Sequence, residues 1–256
     1  MALCAARKYC DSNLVYELFM KFIYFIFIML LLVSCEEPKE KFHSELTYFS
    51  SPKAGVLPYF KSEAMDPYWP GEDGKLPEDL RKVPEFFLLS HEKREFNNRG
   101  LKDKYTLVTF FYAKCRGICP MITRNMMNFL PKIEDQTDLQ IVSISVNPEI
   151  DTVEILNQFR NQYKITRNNW IFLTGSKKTI YDMARNQFGA DIKVIQGKDD
   201  LNDFVHTENV YLIDKRFYLR GVYRAKGPGD LERLKIELNT LRKEDGKSLS
   251  VSTNGS

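Results

Sequence analysis

The stretch from Thr106 to Met126, TLVTFFYAKCRGICPMITRNM, restricts most tightly what this chain can fold into. Leu107 to Tyr112 is an unbroken apolar, β-branched and aromatic run, the pattern of a strand covered on both faces. Such a strand needs a layer of structure above it and another below. Pro120 follows Cys119 where a helix would begin, and proline suits a first helical turn because it gives up a donor that has no partner there. Cys115 and Cys119 thus sit on a strand-to-helix turn. The amides and dipole at a helix start, with Lys114 and Arg116 alongside, predict that Cys119 favours the thiolate. A helix reaching back through Cys115 would put both sulfurs on one side, close enough to form a disulfide or to hold one metal ion. Two small buried residues would fit the same spacing. The setting between a buried strand and a proline-started helix argues for chemistry instead.

The N-terminal region decides which cysteines accompany this pair. Phe22 to Val33 is apolar, too short to span a bilayer and of the length of a signal-peptide core, with Lys21 ahead of it. Leu32-Val33-Ser34-Cys35 resembles a bacterial lipobox, in which the cysteine is lipidated and becomes the mature N-terminus. Met20-Lys21 would serve as the start of that signal, so Met1 to Phe19, with Cys4 and Cys10, reads as an upstream mis-start or an extended n-region. An uncleaved N-terminal membrane anchor with Cys35 unmodified is the alternative. The expected organisation is a signal peptide over 1–35 ending in the lipidation site Cys35, then a tether and extended arm over 36–80. A folded domain over 81–243 and a polar, disordered tail over 244–256 follow. The expected location is the bacterial cell envelope, lipid-anchored to a membrane and facing the periplasm. Of five cysteines the mature domain then keeps Cys115 and Cys119 alone. In an oxidising compartment two such thiols close to a redox-active disulfide unless they are kept reduced or metallated.

The remaining pattern alternates strand and helix. Val83 to Leu89, Leu139 to Val146 and Trp170 to Leu173 read as strands, and Asn209 to Ile213 and Tyr218 to Tyr223 as two more about a tight turn. Asp151-Thr152 and Ser176 are placed to cap helices, Gly189 to stop one, and Leu231, Leu234, Leu238 and Leu241 line the face of a last helix opened by Asp230. Strands alternating with helices and ending in a hairpin plus helix predict a thioredoxin-like α/β fold, a central mixed sheet flanked by helices, with an extended N-terminal arm at Leu57 to Pro70. A net charge of +3 is close to neutral for 256 residues and argues against nucleic acid as a partner.

FFYAKCRGICP resembles the metal-binding motif of the Sco/SenC family, thioredoxin-fold proteins that deliver copper to cytochrome c oxidase, with Arg116 in place of a usual proline. The likeness extends from about Leu57 to Leu241. It includes the Leu57-Pro58-Tyr59-Phe60 arm, Pro148-Glu149 and Asp151-Thr152 of a D-P-E-R-D-T segment whose first Asp is Asn147 here and whose Arg is Ile150, and the histidine-strand segment Val205-His206-Thr207 before Val210-Tyr211-Leu212-Ile213-Asp214. The resemblance implies that His206 is the third copper ligand beside Cys115 and Cys119. The acid that usually precedes this histidine is Val205, with Asp203 and Glu208 nearby. His43 and His91 are not expected to be ligands.

Two thiolates and an imidazole make a soft three-ligand site suited to Cu(I), with Cu(II) reachable through a loop-borne histidine. Zinc would accept the same ligands but usually takes four in a structural site. The implied function is a membrane-anchored metallochaperone whose partner is a copper-accepting subunit of a respiratory oxidase. The alternative from the same cysteines is a thiol-disulfide oxidoreductase acting on a cuproprotein or another exported partner. Against it, resembling reductases use C-x-x-C and carry a proline that Phe204 to Tyr211 lacks. A peroxidase and a purely structural lipoprotein stand further off.

Overall fold

The computed structural model describes residues 16–18, 20–24, 53–133, 137–190, 193–196, 202–205 and 208–253. Residues 1–47 and 48–256 form separate compact units. In the first, 16–18 and 20–24 are helical and exposed. Among the described residues no helix is long and apolar enough to cross a membrane. Cys35, and the tether with His43, lie outside the described residues.

In chain order the second unit runs β1 (Tyr59–Lys61), β2 (Asp66–Tyr68), β3 (Phe87–Ser90), β4 (Glu95–Asn97), β5 (Tyr105–Phe111), α1 (Cys119–Phe129), β6 (Leu139–Ser145), α2 (Val153–Gln162) and β7 (Trp170–Thr174). It continues through α3 (Lys177–Phe188), β8 (Lys193–Gln196), β9 (Asn202–Val205), β10 (Asn209–Ile213), β11 (Leu219–Arg224) and α4 (Pro228–Thr253). Seven of these strands make one mixed sheet in the order β11-β10-β5-β6-β7-β3-β4. The three central strands are parallel, and antiparallel pairs finish both sides. Every residue of β5 and β6 is buried, as the unbroken apolar run at 107–112 requires.

Both faces of β5 are covered, and its alternating side chains show by what. Phe110 meets Phe188 of α3 edge-on at 5.4 Å, while Phe111, on the other face, meets Phe159 of α2 at 5.0 Å. The crossovers β5-α1-β6 and β6-α2-β7 step the same way across the sheet, so a common hand puts both helices on one face; α3 leads back past β5 and covers the other. α4 is tied to the turn that follows α1 by Lys132–Glu232 at 3.0 Å. This is the thioredoxin-like layer expected from the sequence.

The arm packs on the domain through buried Leu57 and Tyr59 and carries the short β1–β2 hairpin. Its seat is ionic as well as apolar. Arg220, almost fully buried, donates to the carbonyls of Leu57 and Pro58, pairs with Asp214 at 3.1 Å and Glu244 at 2.7 Å, and lies 4.0 Å over the Tyr59 ring. Glu244 also accepts from the Leu57 amide, and Asp245 takes the Tyr105 hydroxyl at 2.5 Å. Helix α4 runs on through Glu244 and Asp245 to Thr253, and the partners of these two polar residues are ones that composition alone does not reveal.

Candidate functional site

Cys115 and Cys119 come together at the end of the central strand. After β5 the chain makes a turn closed by a hydrogen bond from the Cys115 amide to the Tyr112 carbonyl at 3.2 Å. Helix α1 then begins at Cys119, with Pro120 in its first turn and no side-chain cap. The helix does not reach back to Cys115, so the sulfurs meet through the turn and not through helical spacing. Their side chains are hydrogen-bonded to each other. Cys119 is 1% exposed and Cys115 9%, so Cys115 is the sulfur nearer to solvent. Gly117, between them, is exposed and adds no side chain over the Cys115 sulfur.

The electrostatics reverse one expectation. The Cys119 thiol is pushed above its ordinary range, first by its hydrogen bond to Cys115, then by burial and by the charge a neighbouring thiolate would carry, with Asp151 adding to the effect. A backbone hydrogen bond from Tyr112 opposes them. The helix start was expected to favour a thiolate. It is outweighed because desolvation disfavours an ion and two adjacent thiols cannot both ionise cheaply. In the dithiol state the Cys119 thiol is therefore held against ionisation.

Several residues around the pair carry no motif signal. Tyr163, half-buried at the end of α2 and packed on Phe159 at 4.7 Å, is within electrostatic reach of both cysteines and of Arg124. Behind Cys119 a cavity of about 10 Å³, room for at most one water, is lined in part by Thr109, Thr123, Ser143 and Trp170. Asp151 points inward: its Oδ2 accepts from the Ala113 amide at 2.9 Å and from the Ser145 hydroxyl at 2.6 Å. The helix cap expected of Asp151-Thr152 is supplied by Thr152 alone, whose hydroxyl accepts from the Ile155 amide. A spacing rule finds the cap. It does not find a carboxylate turned toward a strand thirty-odd residues earlier.

Glu149, Ile150 and Asn147 fall on the same loop with different fates. Glu149 pairs with Lys177 at 3.0 Å on the surface, Ile150 is 37% exposed and Asn147 is buried. Arg116 and Lys114 are exposed beside the cysteines. His206 lies outside the described residues; the strand pair β8–β9, which the sequence reading did not foresee, ends at Val205 immediately before it. His91 is held elsewhere, its Nδ1 accepting from the Phe172 amide at 3.3 Å. Among the described residues no group of three His, Cys, Asp or Glu side chains is placed to hold a metal ion. Two adjacent sulfurs can close to a disulfide or, on losing their protons, hold a soft cation.

The family model for SCO1/SenC matches residues 75–236. A SCO1 protein homolog of Bacillus subtilis is 31% identical over 134 residues, which is 52% of this chain and 68% of the relative. Among solved structures, BsSco, a member of the Sco family of cytochrome c oxidase assembly proteins in which a disulfide switch has been identified, superposes with a TM-score of 0.55 at 25% identity, covering 63% of this chain and 93% of that one. Bradyrhizobium japonicum ScoI, solved with copper bound, gives 0.53 at 21% identity, covering 62% and 98%; at that identity the likeness is one of fold.

Proposed function

We propose, from the premise that this chain belongs to the SCO1/SenC family, that it is a lipid-anchored copper metallochaperone serving a respiratory cytochrome c oxidase. Cys115, Cys119 and His206 are its copper ligands and Cys35 its lipid attachment. The observation that carries the reading is the mutually hydrogen-bonded thiol pair on the turn before α1, with Arg116 and Gly117 exposed between the two cysteines. The copper bound in ScoI and the oxidase-assembly role of BsSco support the choice of metal and acceptor.

Copper is cargo here. Loading one Cu(I) displaces both thiol protons to solvent and leaves the ion between two thiolates, with the imidazole of His206 closing a three-ligand shell. The shielded Cys119 thiol gives up its proton when a cation takes its place. Three ligands leave the shell incomplete, so an acceptor's ligands can enter before the chaperone's leave. Oxidation to the Cys115–Cys119 disulfide removes both thiolates and with them the site.

The second reading, a thiol-disulfide oxidoreductase, draws on the same adjacency. Its partner would be another exported protein, one at a copper site included. A competitive Cu(I) titration of the reduced full-length chain, beside Cys115→Ala, Cys119→Ala and His206→Ala, separates the two. The chaperone reading expects one tight equivalent, lost with either cysteine and weakened without the histidine. No tight binding by the parent protein would transfer the function to thiol exchange.

A further inference from the structure

Asp151 is fully buried where the end of β5, the end of β6 and the start of α2 converge. Its Oδ2 takes the Ala113 amide and the Ser145 hydroxyl, and the Ser145 oxygen accepts in turn from the Asn147 amide at 3.1 Å. Ala113 lies inside the turn that the Cys115 amide closes onto the Tyr112 carbonyl. The carboxylate thus ties the cysteine-bearing turn to the two elements beneath it.

The arrangement is costly. Oδ1 of Asp151 is buried with no hydrogen-bond partner among the described residues, and a carboxylate oxygen without a donor is expensive to bury. Burial pushes the carboxyl above its ordinary range, while Ser145, Ala113 and the charge of Lys114 hold it down. Helix α2 already has its cap in Thr152, so capping does not account for an acid here. What the acid does make is a bond to the turn two residues before Cys115.

We propose that Asp151 is a positioning residue for the cysteine pair: by holding the Ala113 amide it fixes the Tyr112–Cys115 turn and sets the Cys115 sulfur against Cys119. Preorganising two sulfurs lowers the entropy lost when either a disulfide or a bridging ion joins them. Its copper consequence rests on the function proposed above. Its disulfide consequence does not.

The test uses the full-length chain with Asp151→Ala and Asp151→Asn, both confirmed folded by near-ultraviolet circular dichroism. One readout is the disulfide equilibrium of Cys115 and Cys119 in a glutathione redox buffer, which needs no metal; the other is Cu(I) competition against a chromogenic chelator. Asp151→Ala is expected to lower the equilibrium constant for disulfide closure about tenfold and Cu(I) affinity by about ten- to a hundredfold, the usual loss when the support of a ligand is removed. Asp151→Asn keeps an oxygen for the Ala113 amide and should hold both within about threefold. An unchanged Asp151→Ala overturns the proposal, and so does an Asn variant that falls as far as Ala, since charge would then be the cause. If Asp151→Ala does not fold, Ala113→Pro deletes the donor at a turn position that accepts proline, and an unmoved disulfide equilibrium there overturns it equally. A parent protein that binds no copper tightly, with the disulfide shift intact, would defeat the chaperone reading and leave Asp151 in its role.

Discussion

Cys119 is joined to Cys115 by a side-chain hydrogen bond while almost entirely shielded from water, and it is therefore a poor source of thiolate. Only the thiolate is nucleophilic, so a thiol pushed above its ordinary range reacts slowly at neutral pH. Alkylation of Cys119 by iodoacetamide should rise about tenfold per pH unit through the neutral range, with no levelling by about pH 9. Cys115→Ser should speed it at every pH in that range, because a neighbouring hydroxyl does not ionise. Rates levelling near the value of an unstructured cysteine would show that the hydrogen bond and burial are not controlling the sulfur.

Much of this was legible in the sequence, and the limits have physical causes. The buried central strand, the Pro120 helix start, the Thr152 and Ser176 caps and the left-handed Gly189 that stops α3 are local signals, and local signals were read correctly. A turn, not the helix that the four-residue spacing suggests, carries Cys115 to Cys119. The state of Cys119 was misjudged because a dipole is visible in a sequence and desolvation is not. Asp151–Ala113 and Glu244–Leu57 are contacts across long separations, and no periodicity reports them.

Glu244 gives the C-terminal turns of α4 a measurable weight. It accepts from the Leu57 amide and pairs with buried Arg220 at 2.7 Å. Glu244→Ala should cost about 1.5–3 kcal/mol, the range for losing hydrogen bonds to a charged group. Arg220→Ala should cost more, about 3–5 kcal/mol, because it leaves Asp214 buried without its close partner, with only the exposed Arg216 at 3.8 Å. Urea denaturation of the two variants reads both. Truncation after Lys243 should destabilise at least as much as Glu244→Ala; a truncated chain with the parent's midpoint would make the helix end a passenger.

His91 predicts how stability depends on pH. Burial, and then the charge of Arg160, push its pKa below the ordinary histidine value, with Glu92 and the Phe172 backbone opposing. In the unfolded chain His91 returns to about 6.5, so below that pH the unfolded state binds the extra proton and folding must give it up. The contribution is fully present above about pH 6.5 and is lost as the pH falls through the lower folded value. A protonated Nδ1 would also lose its bond from the Phe172 amide, which joins the β3–β4 turn to β7. His91→Gln should therefore be less sensitive than the parent between about pH 7.5 and 5 in denaturation midpoints. Equal slopes for the two proteins would remove His91 as the cause.

Behind Cys119, two side chains depend on one hydroxyl. The Ser143 oxygen is hydrogen-bonded to the Thr109 hydroxyl at 2.8 Å and accepts from the Trp170 indole at 2.9 Å, all on buried residues of adjacent parallel strands. Ser143→Ala leaves the Trp170 donor without its acceptor, at a cost of about 1–3 kcal/mol, more than a methyl-sized change would by itself suggest. Trp170→Phe alone removes the donor and creates a void. In the double variant the Trp170 donor and the Ser143 acceptor are gone together and only the Thr109 hydroxyl lacks its partner, so its loss should be smaller than the sum of the single losses by about 0.5–3 kcal/mol, the coupling of residues in one network. Strict additivity would mean that a water entering the cavity of about 10 Å³ beside Cys119 has taken over the missing hydroxyl. The Trp170 fluorescence maximum separates the cases, since an indole bonded to water emits further to the red than one left dry.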